Sequence, residues 1–148
     1  MSLYNILNVA ASGMSAQTVR LNTTASNIAN VDSVASSVDK TYRARQPIFA
    51  VQNKPLDDSG FTYSLDGDSG EQGNGVNVLG IVESDAPLQK RYQPDHPAAD
   101  KEGYVSYPNV NIVEEMANMM SASRSFETNV EVANTAKQML QRILTLGQ

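Results

Sequence analysis

The chain has no cysteine, no tryptophan and a single histidine in 148 residues. Without cysteine there are no disulfides, no thiol nucleophile and no cysteine metal site. One histidine, His96, cannot build a metal cluster, and standing between Pro94, Asp95 and Pro97 it reads as a loop residue. No apolar run approaches the roughly 18 residues of a membrane span. The opening, MSLYNILNVAASGMS, has neither a basic first region nor a sustained apolar stretch, so no cleaved secretory signal is expected. Eleven basic residues against sixteen acidic ones give a net charge of −5, which argues against general nucleic-acid binding. No serine stands in a nucleophile-elbow pattern and no carboxylate pair is singled out by its surroundings, so the chain is expected not to be an enzyme and to need no cofactor.

Proline and glycine are also missing from one long stretch, Asn111 to Leu146. Asn111 is a suitable helix cap, and Glu114 stands where a carboxylate reaches back to the cap's own N–H. Glu114 and Glu115 complement the positive end of the helix dipole, Arg142 the negative end, and Gly147 follows as a stop. Such a helix is about 50 Å long. Ile112, Met116, Met119, Phe126, Val130, Ala133, Leu140 and Leu144 follow alternating steps of four and three, weakened at Ser123 and Lys137. Val132, Ala136, Met139, Ile143 and Leu146 form a second seam. Two seams suit a helix with neighbours on two sides.

Residues 3 to 30 form a second helical candidate, with Leu3, Ile6, Leu7, Ala10, Met14, Leu21, Ala25 and Ile28 on one face. Charge is nearly absent here: up to Val31 the one charged side chain is Arg20, and the other polar residues are Ser, Thr, Asn and Gln. Such a face is poorly helical by propensity, because these side chains compete for backbone hydrogen bonds. It also lets other chains approach without burying charge. The helix is expected to form when packed, and to be contacted on more than one side.

The middle is rich in strand and turn chemistry. VDSVASSVD, residues 31 to 39, is a connector. KTYRARQPIFAVQ reads as extended, with Pro47 placing its strand at an edge. NKPLDDSG is turn chemistry, and FTYSL reads as a short strand. GVNVLGIVES alternates Val76, Val78 and Val82 against Leu79 and Ile81, a pattern for burial on both sides. LQKRY is a candidate to pair with it, and GYVSYPNV leads into the long helix. Asp66, Asp68 and Gly70 suggest a calcium loop, but Glu71 stands where that loop needs glycine and Asn77 where it needs glutamate, so a solvated turn is the expectation. Lys40, Arg43 and Arg45, with Lys90 and Arg91 opposite, offer a contact for cell-wall polymer or a neighbouring subunit; a solvated strand face is the plainer reading.

The expected fold class is therefore α+β. Long N- and C-terminal helices pack as an antiparallel coiled coil (1–31 and 108–148). A connector (32–39) leads to a small β-rich insert (40–107) between them. The expected seam comprises Leu3, Ile6, Leu7, Ala10, Met14, Leu21, Ile28, Ile112, Met116, Met119, Phe126, Val130, Met139, Leu140, Ile143 and Leu144.

The segment AASGMSAQTVRLNTTASNIANVDS, residues 10 to 33, resembles the N-terminal signature of the bacterial flagellar axial proteins, the rod and hook proteins. Its core is Ala25, Ser26, Asn27, Ile28, Ala29 and Asn30. YPNVNIVEEMANMMSASRSFETNVEVANTAKQMLQRILTLGQ, residues 107 to 148, resembles their C-terminal helix. The continuation VDSVASSVDKTYRARQPIF departs from the common Asn-Thr-Pro-Gly-Tyr and is similar to the proximal-rod members. The resemblance implies a structural subunit of the basal-body rod in the periplasm, exported through the flagellar type III apparatus. Its implied partners are itself and other rod proteins, with helices inside the tube and the insert outside. Alternatives are a coiled-coil adaptor and a cell-wall-binding module acting through the insert.

Overall fold

The computed structural model describes residues 3–35, 37–52 and 75–146. FTYSL and the Asp66–Gly70 pattern lie outside the described residues. Helix α1 spans Leu3–Ala29 and helix α2 spans Ile112–Leu146. Between them, in chain order, come a 3₁₀ turn at Val38–Lys40 and strands β1 (Arg45–Val51), β2 (Val76–Glu83), β3 (Gln89–Tyr92) and β4 (Tyr104–Tyr107). The architecture is α+β: two helices with two small antiparallel ribbons, β1–β2 and β3–β4.

The start of α2 follows from its cap. The Asn111 side-chain oxygen accepts from the Val113 N–H at 3.2 Å, and its carbonyl accepts the first helical bond, from Glu115, at 3.0 Å. Among the described residues, Glu114 makes no return bond to the Asn111 N–H, so only half of the capping box forms. Helix α1 pulls its own hydroxyls inward: Thr18, Thr23 and Ser26 each donate to the carbonyl four residues back. Such back-bonding satisfies the hydroxyls within the helix but slightly weakens it, in keeping with a helix that depends on packing.

The helices meet through small residues. Ala10, Ala16, Ala122 and Ala136 are all buried. Gly13 lies against Asn129, where a β-carbon on the glycine would come within 2.8 Å of the amide nitrogen. Arg20 donates to Asn118 and Asn27 to Glu115. Leu3 and Ile6 line a hollow with Thr128, Val132, Ala136 and Met139. Residues of α1 thus meet residues of α2 in reverse order. Gly13 to Asn27 and Glu115 to Asn129 are the same interval, two heptads.

Strand β1 pairs with β2 from Arg45↔Glu83 to Val51↔Val76, and the register slips between Ile48 and Phe49, which face Gly80 and Val78. Leu79 is therefore the extra residue of a bulge. Because a bulge resets the two-residue alternation, Val76, Val78 and Ile81 share a face with Pro47, Phe49 and Val51, and Val82 turns to the other. This corrects the simple alternation expected for GVNVLGIVES. The strand is also not buried on both sides: Leu79 is 68% and Ile81 53% exposed. Pro47 does lie on an edge. Asn27 takes the N–H and C=O of Arg45, so Arg45 and then Pro47 point away from β2.

LQKRY pairs with Tyr104–Tyr107 and not with β2. Lys90 and Arg91 are thus on a different ribbon from Arg45, whose cross-strand partner is Glu83 at 3.0 Å. The β3–β4 ribbon is joined to the connector by a bridge between Ala35 and Ser106. The turn into β4 uses Gly103 at φ +82°, a left-handed conformation that suits glycine; a β-carbon there would also meet the Tyr92 ring at 2.9 Å.

Candidate assembly interface

Two asparagines tie the ribbons to the helices. Asn27 is 1% exposed. Its Oδ1 accepts from the Tyr42 hydroxyl at 2.8 Å and the Arg45 N–H at 2.9 Å. Its Nδ2 donates to the Arg45 carbonyl at 2.8 Å and to Glu115 Oε1 at 3.0 Å. Two donor hydrogens and two acceptor sites are all used, which is the full capacity of a carboxamide. One side chain of α1 therefore holds Tyr42 at the start of the insert, the edge of β1 and the first turns of α2. Asn109 does the same from the other direction: its Oδ1 accepts from the Ala44 N–H at 2.8 Å, and its Nδ2 donates to the carbonyls of Ser84 and Ala86. Pro108 beside it is buried. Farther along α1, Ser12 Oγ accepts from the Val76 N–H at 3.1 Å, docking the far end of the β1–β2 ribbon.

Charge at this joint is partly withdrawn from water. Burial pushes the Glu115 carboxyl up from its ordinary range, and Glu114 adds to this, while bonds from Asn27 and Thr24 and the charge of Arg20 oppose it. The Tyr42 hydroxyl is likewise raised, first by burial. The Arg45 guanidinium lies 5.4 Å from the Tyr42 ring and is bonded to Glu83. Arg43 donates to the Ser84 carbonyl, and Lys40 is exposed. Arg91 stacks on the Tyr107 ring at 4.5 Å. His96 accepts from the Ala98 N–H within its own loop.

The structure distributes the expected seam residues over two surfaces. Leu3 and Ile6 line the hollow against α2 and Ala10 is buried; Met119, Phe126 and Leu140 are half-buried along α2. The companion column in the α2 seam lies one residue earlier than the apolar spacing suggests: it is Glu115, Ala122, Asn129 and Ala136, each buried or half-buried. Leu7, Met14, Leu21 and Ile28 recur every seventh residue and are half-buried. At 100° per residue they run along the flank of α1 opposite to Ser12 and the β1–β2 ribbon. Val130 is half-buried. Ile112, Met116, Met139, Ile143 and Leu144 are exposed, between 40% and 70%. With Val113 at 75%, Met120 at 60% and Tyr4 at 71%, the paired helices carry much apolar surface that is exposed among the described residues.

The two segments that carry these joints are also where known proteins match. A family model described as "Flagella basal body rod protein" matches residues 7–35, and one described as "Flagellar basal body rod FlgEFG protein C-terminal" matches residues 101–146. Over 148 residues the chain is 45% identical to the flagellar basal-body rod protein FlgC of Salmonella typhimurium and 46% identical to that of Escherichia coli, covering 100% of both chains in each case. It is 40% identical over 154 aligned positions to the FlgC of Borreliella burgdorferi, covering all of this chain and 99% of that one.

The chain belongs to the FlgC family of flagellar basal-body rod proteins.

It is a structural subunit of the basal-body rod. Of the motif Ala25 to Asn30 in this rod protein, Asn27 is the residue at the joint, and Ala25, Ser26 and Ala29 are exposed. Asn30 closes the helix, its side chain donating to the Ser26 carbonyl at 2.8 Å. Among the described residues, no helix is long and apolar enough to cross a membrane, and no group of three or more His, Asp or Glu is placed to hold a metal ion.

Proposed function

We propose that this rod subunit assembles with copies of itself and with other rod proteins into the proximal rod, forming part of the drive shaft for motility. The observation that carries this reading is the exposed apolar surface along both helices, in a chain whose joints between helix and ribbon are fully hydrogen-bonded. Among the described residues Met116, Met120, Met139, Ile143 and Leu144 stand in the open. Neighbouring subunits would cover them.

In this reading residues 1–31 and 108–148 form an antiparallel coiled coil lining the tube, 32–39 connect, and 40–107 lie outside it. The two-heptad interval between the Gly13–Asn129 and Asn27–Glu115 contacts supports the coiled coil. Burying a large apolar side chain contributes roughly 1.5–3 kcal/mol, so many contacts formed together offset the ordering entropy of weakly helical termini. Assembly and ordering are then coupled. The contacts are heterologous and generate a helical tube instead of a closed ring. The subunit reaches the periplasm through the flagellar type III apparatus. Lys40, exposed on the connector side, is the proposed contact with peptidoglycan. The subunit acts as a building block and not as an enzyme, which its family supports.

Deleting the gene tests this. Loss of swimming, with basal bodies that stop before a complete rod in electron micrographs, is the expected result. Normal swimming with complete rods overturns the reading.

A further inference from the structure

Resting on the rod reading, we propose that Asn27 and Glu115 form a polar latch that sets the angle between the β insert and the helix pair, and so positions the outer surface of the subunit for its neighbours. Asn27 imitates a neighbouring strand for β1: it satisfies both backbone groups of Arg45, one from each side of its carboxamide. Nothing else among the described residues bonds those two groups. The remaining Nδ2 hydrogen goes to Glu115 Oε1. The carboxamide is thereby held in one orientation, since a flip of its O and N would set an N–H against the Arg45 N–H and a carbonyl against the Glu115 carboxylate. Glu115 therefore selects the rotamer of Asn27, and Asn27 selects where β1 begins.

The groups around the latch fit this role. Arg20 and Thr24 of α1 and Glu114 of α2 surround the Glu115 carboxyl, while Tyr42, Arg45 and Glu83 stand on the insert side. The insert is otherwise attached by Asn109 at Ala44, beside the same end of β1, and by Ser12 at Val76, at the far end of the ribbon. Three attachments around one ribbon define an orientation, and the latch is the one that bonds both helices to it at once.

The pair offers a specific test. N27D is nearly isosteric and keeps the acceptor for Tyr42 and the Arg45 N–H, but it loses the donor to the Arg45 carbonyl and sets two carboxylates against each other. N27D/E115Q restores a donor facing an acceptor, with the direction of the bond reversed. Limited trypsin digestion of the purified full chain reads the latch through cuts after Lys40, Arg43 and Arg45, with cuts after Lys90 and Arg91 as an internal reference. Circular dichroism checks that the helices remain.

N27D is expected to speed the first group of cuts by about tenfold relative to the reference, and N27D/E115Q to recover the part due to the facing carboxylates but not the part due to the lost bond to the Arg45 carbonyl. In cells, the double variant is expected to regain swimming lost by N27D. A role for Asn27 in merely filling space or holding Arg45 predicts no recovery from E115Q. A double variant as labile as N27D overturns the latch, as does a wild-type chain cut as fast at Lys40 and Arg43 as at Lys90. A deletion strain that swims instead overturns the rod reading, so the two failures are distinguishable.

Discussion

Gly13 and Asn129 approach so closely that a β-carbon at position 13 would stand 2.8 Å from the Asn129 amide nitrogen. The obstructing group is the end of a flexible side chain, so an alanine is accommodated by a small shift of Asn129. The helix also gains about 1 kcal/mol when glycine is replaced by alanine. G13A is therefore expected to be near neutral in chemical denaturation. G13L cannot be absorbed in this way. It pushes the helices apart and is expected to cost about 1–3 kcal/mol, as overpacked sites do. Equal stability of G13L and wild type would show that the helices are not held at this distance in solution.

Glu115 makes the stability of the chain depend on pH in a defined direction. Burial raises its folded pKa above the ordinary value of 4.5. The folded state therefore binds the proton more tightly than the unfolded state. The stabilisation gained by protonation is fully present below the unfolded pKa and is lost as pH rises through the folded pKa. E115Q cannot ionise and lacks this dependence. The expected result is that E115Q gains in melting temperature relative to wild type between about pH 4 and pH 7. A wild-type chain that gains stability relative to E115Q over that interval would reverse the sign and locate the charge in a stabilising pair instead.

Much of the backbone plan was legible because it rests on strong local signals. Asn111 caps its helix, Pro47 sits on a strand edge, and both helices end close to where their patterns end. The misreadings share a physical cause. Apolar periodicity finds greasy columns, Ala136 among them, but the close contact between these helices also uses Gly13, Ala122, Asn129 and Glu115, which that signal ignores. The bulge at Leu79 flips the alternation of β2 without any glycine or proline at the flipped residue itself. The exposure of β2 was not legible at all, since a strand meant for burial and one left open to a partner carry the same valines. The resemblance singled out the motif around Asn27, yet only the structure shows which of its residues makes the joint.

Asn109 tests whether side-chain amides hold the ribbons in place. N109A leaves the Ala44 N–H without its partner and removes the donor shared by Ser84 and Ala86. A buried polar group left unpaired costs about 1–3 kcal/mol, so N109A is expected to lose about that much in denaturant unfolding. The Ala44 amide, buried in the wild type, should exchange with solvent faster than the Val105 amide in the neighbouring ribbon. Unchanged exchange at Ala44 would show that another group takes over the bond.

The exposed apolar residues separate assembly from folding. Met116 and Ile143 are 52% and 57% exposed, and Phe126 is half-buried along the contact with α1. A charge at an exposed position changes stability by about 0.5 kcal/mol or less, whereas a charge in a helix contact is costly. M116E and I143E are therefore expected to leave the melting temperature of the purified chain nearly unchanged while abolishing swimming and rod completion. F126E is expected to lower the melting temperature as well, and M119E to follow it. If all four variants lost stability alike, the exposed residues would be part of the subunit's own fold; if M116E and I143E swam normally, those positions would face open space in the rod and the covered surface would lie elsewhere on the helices.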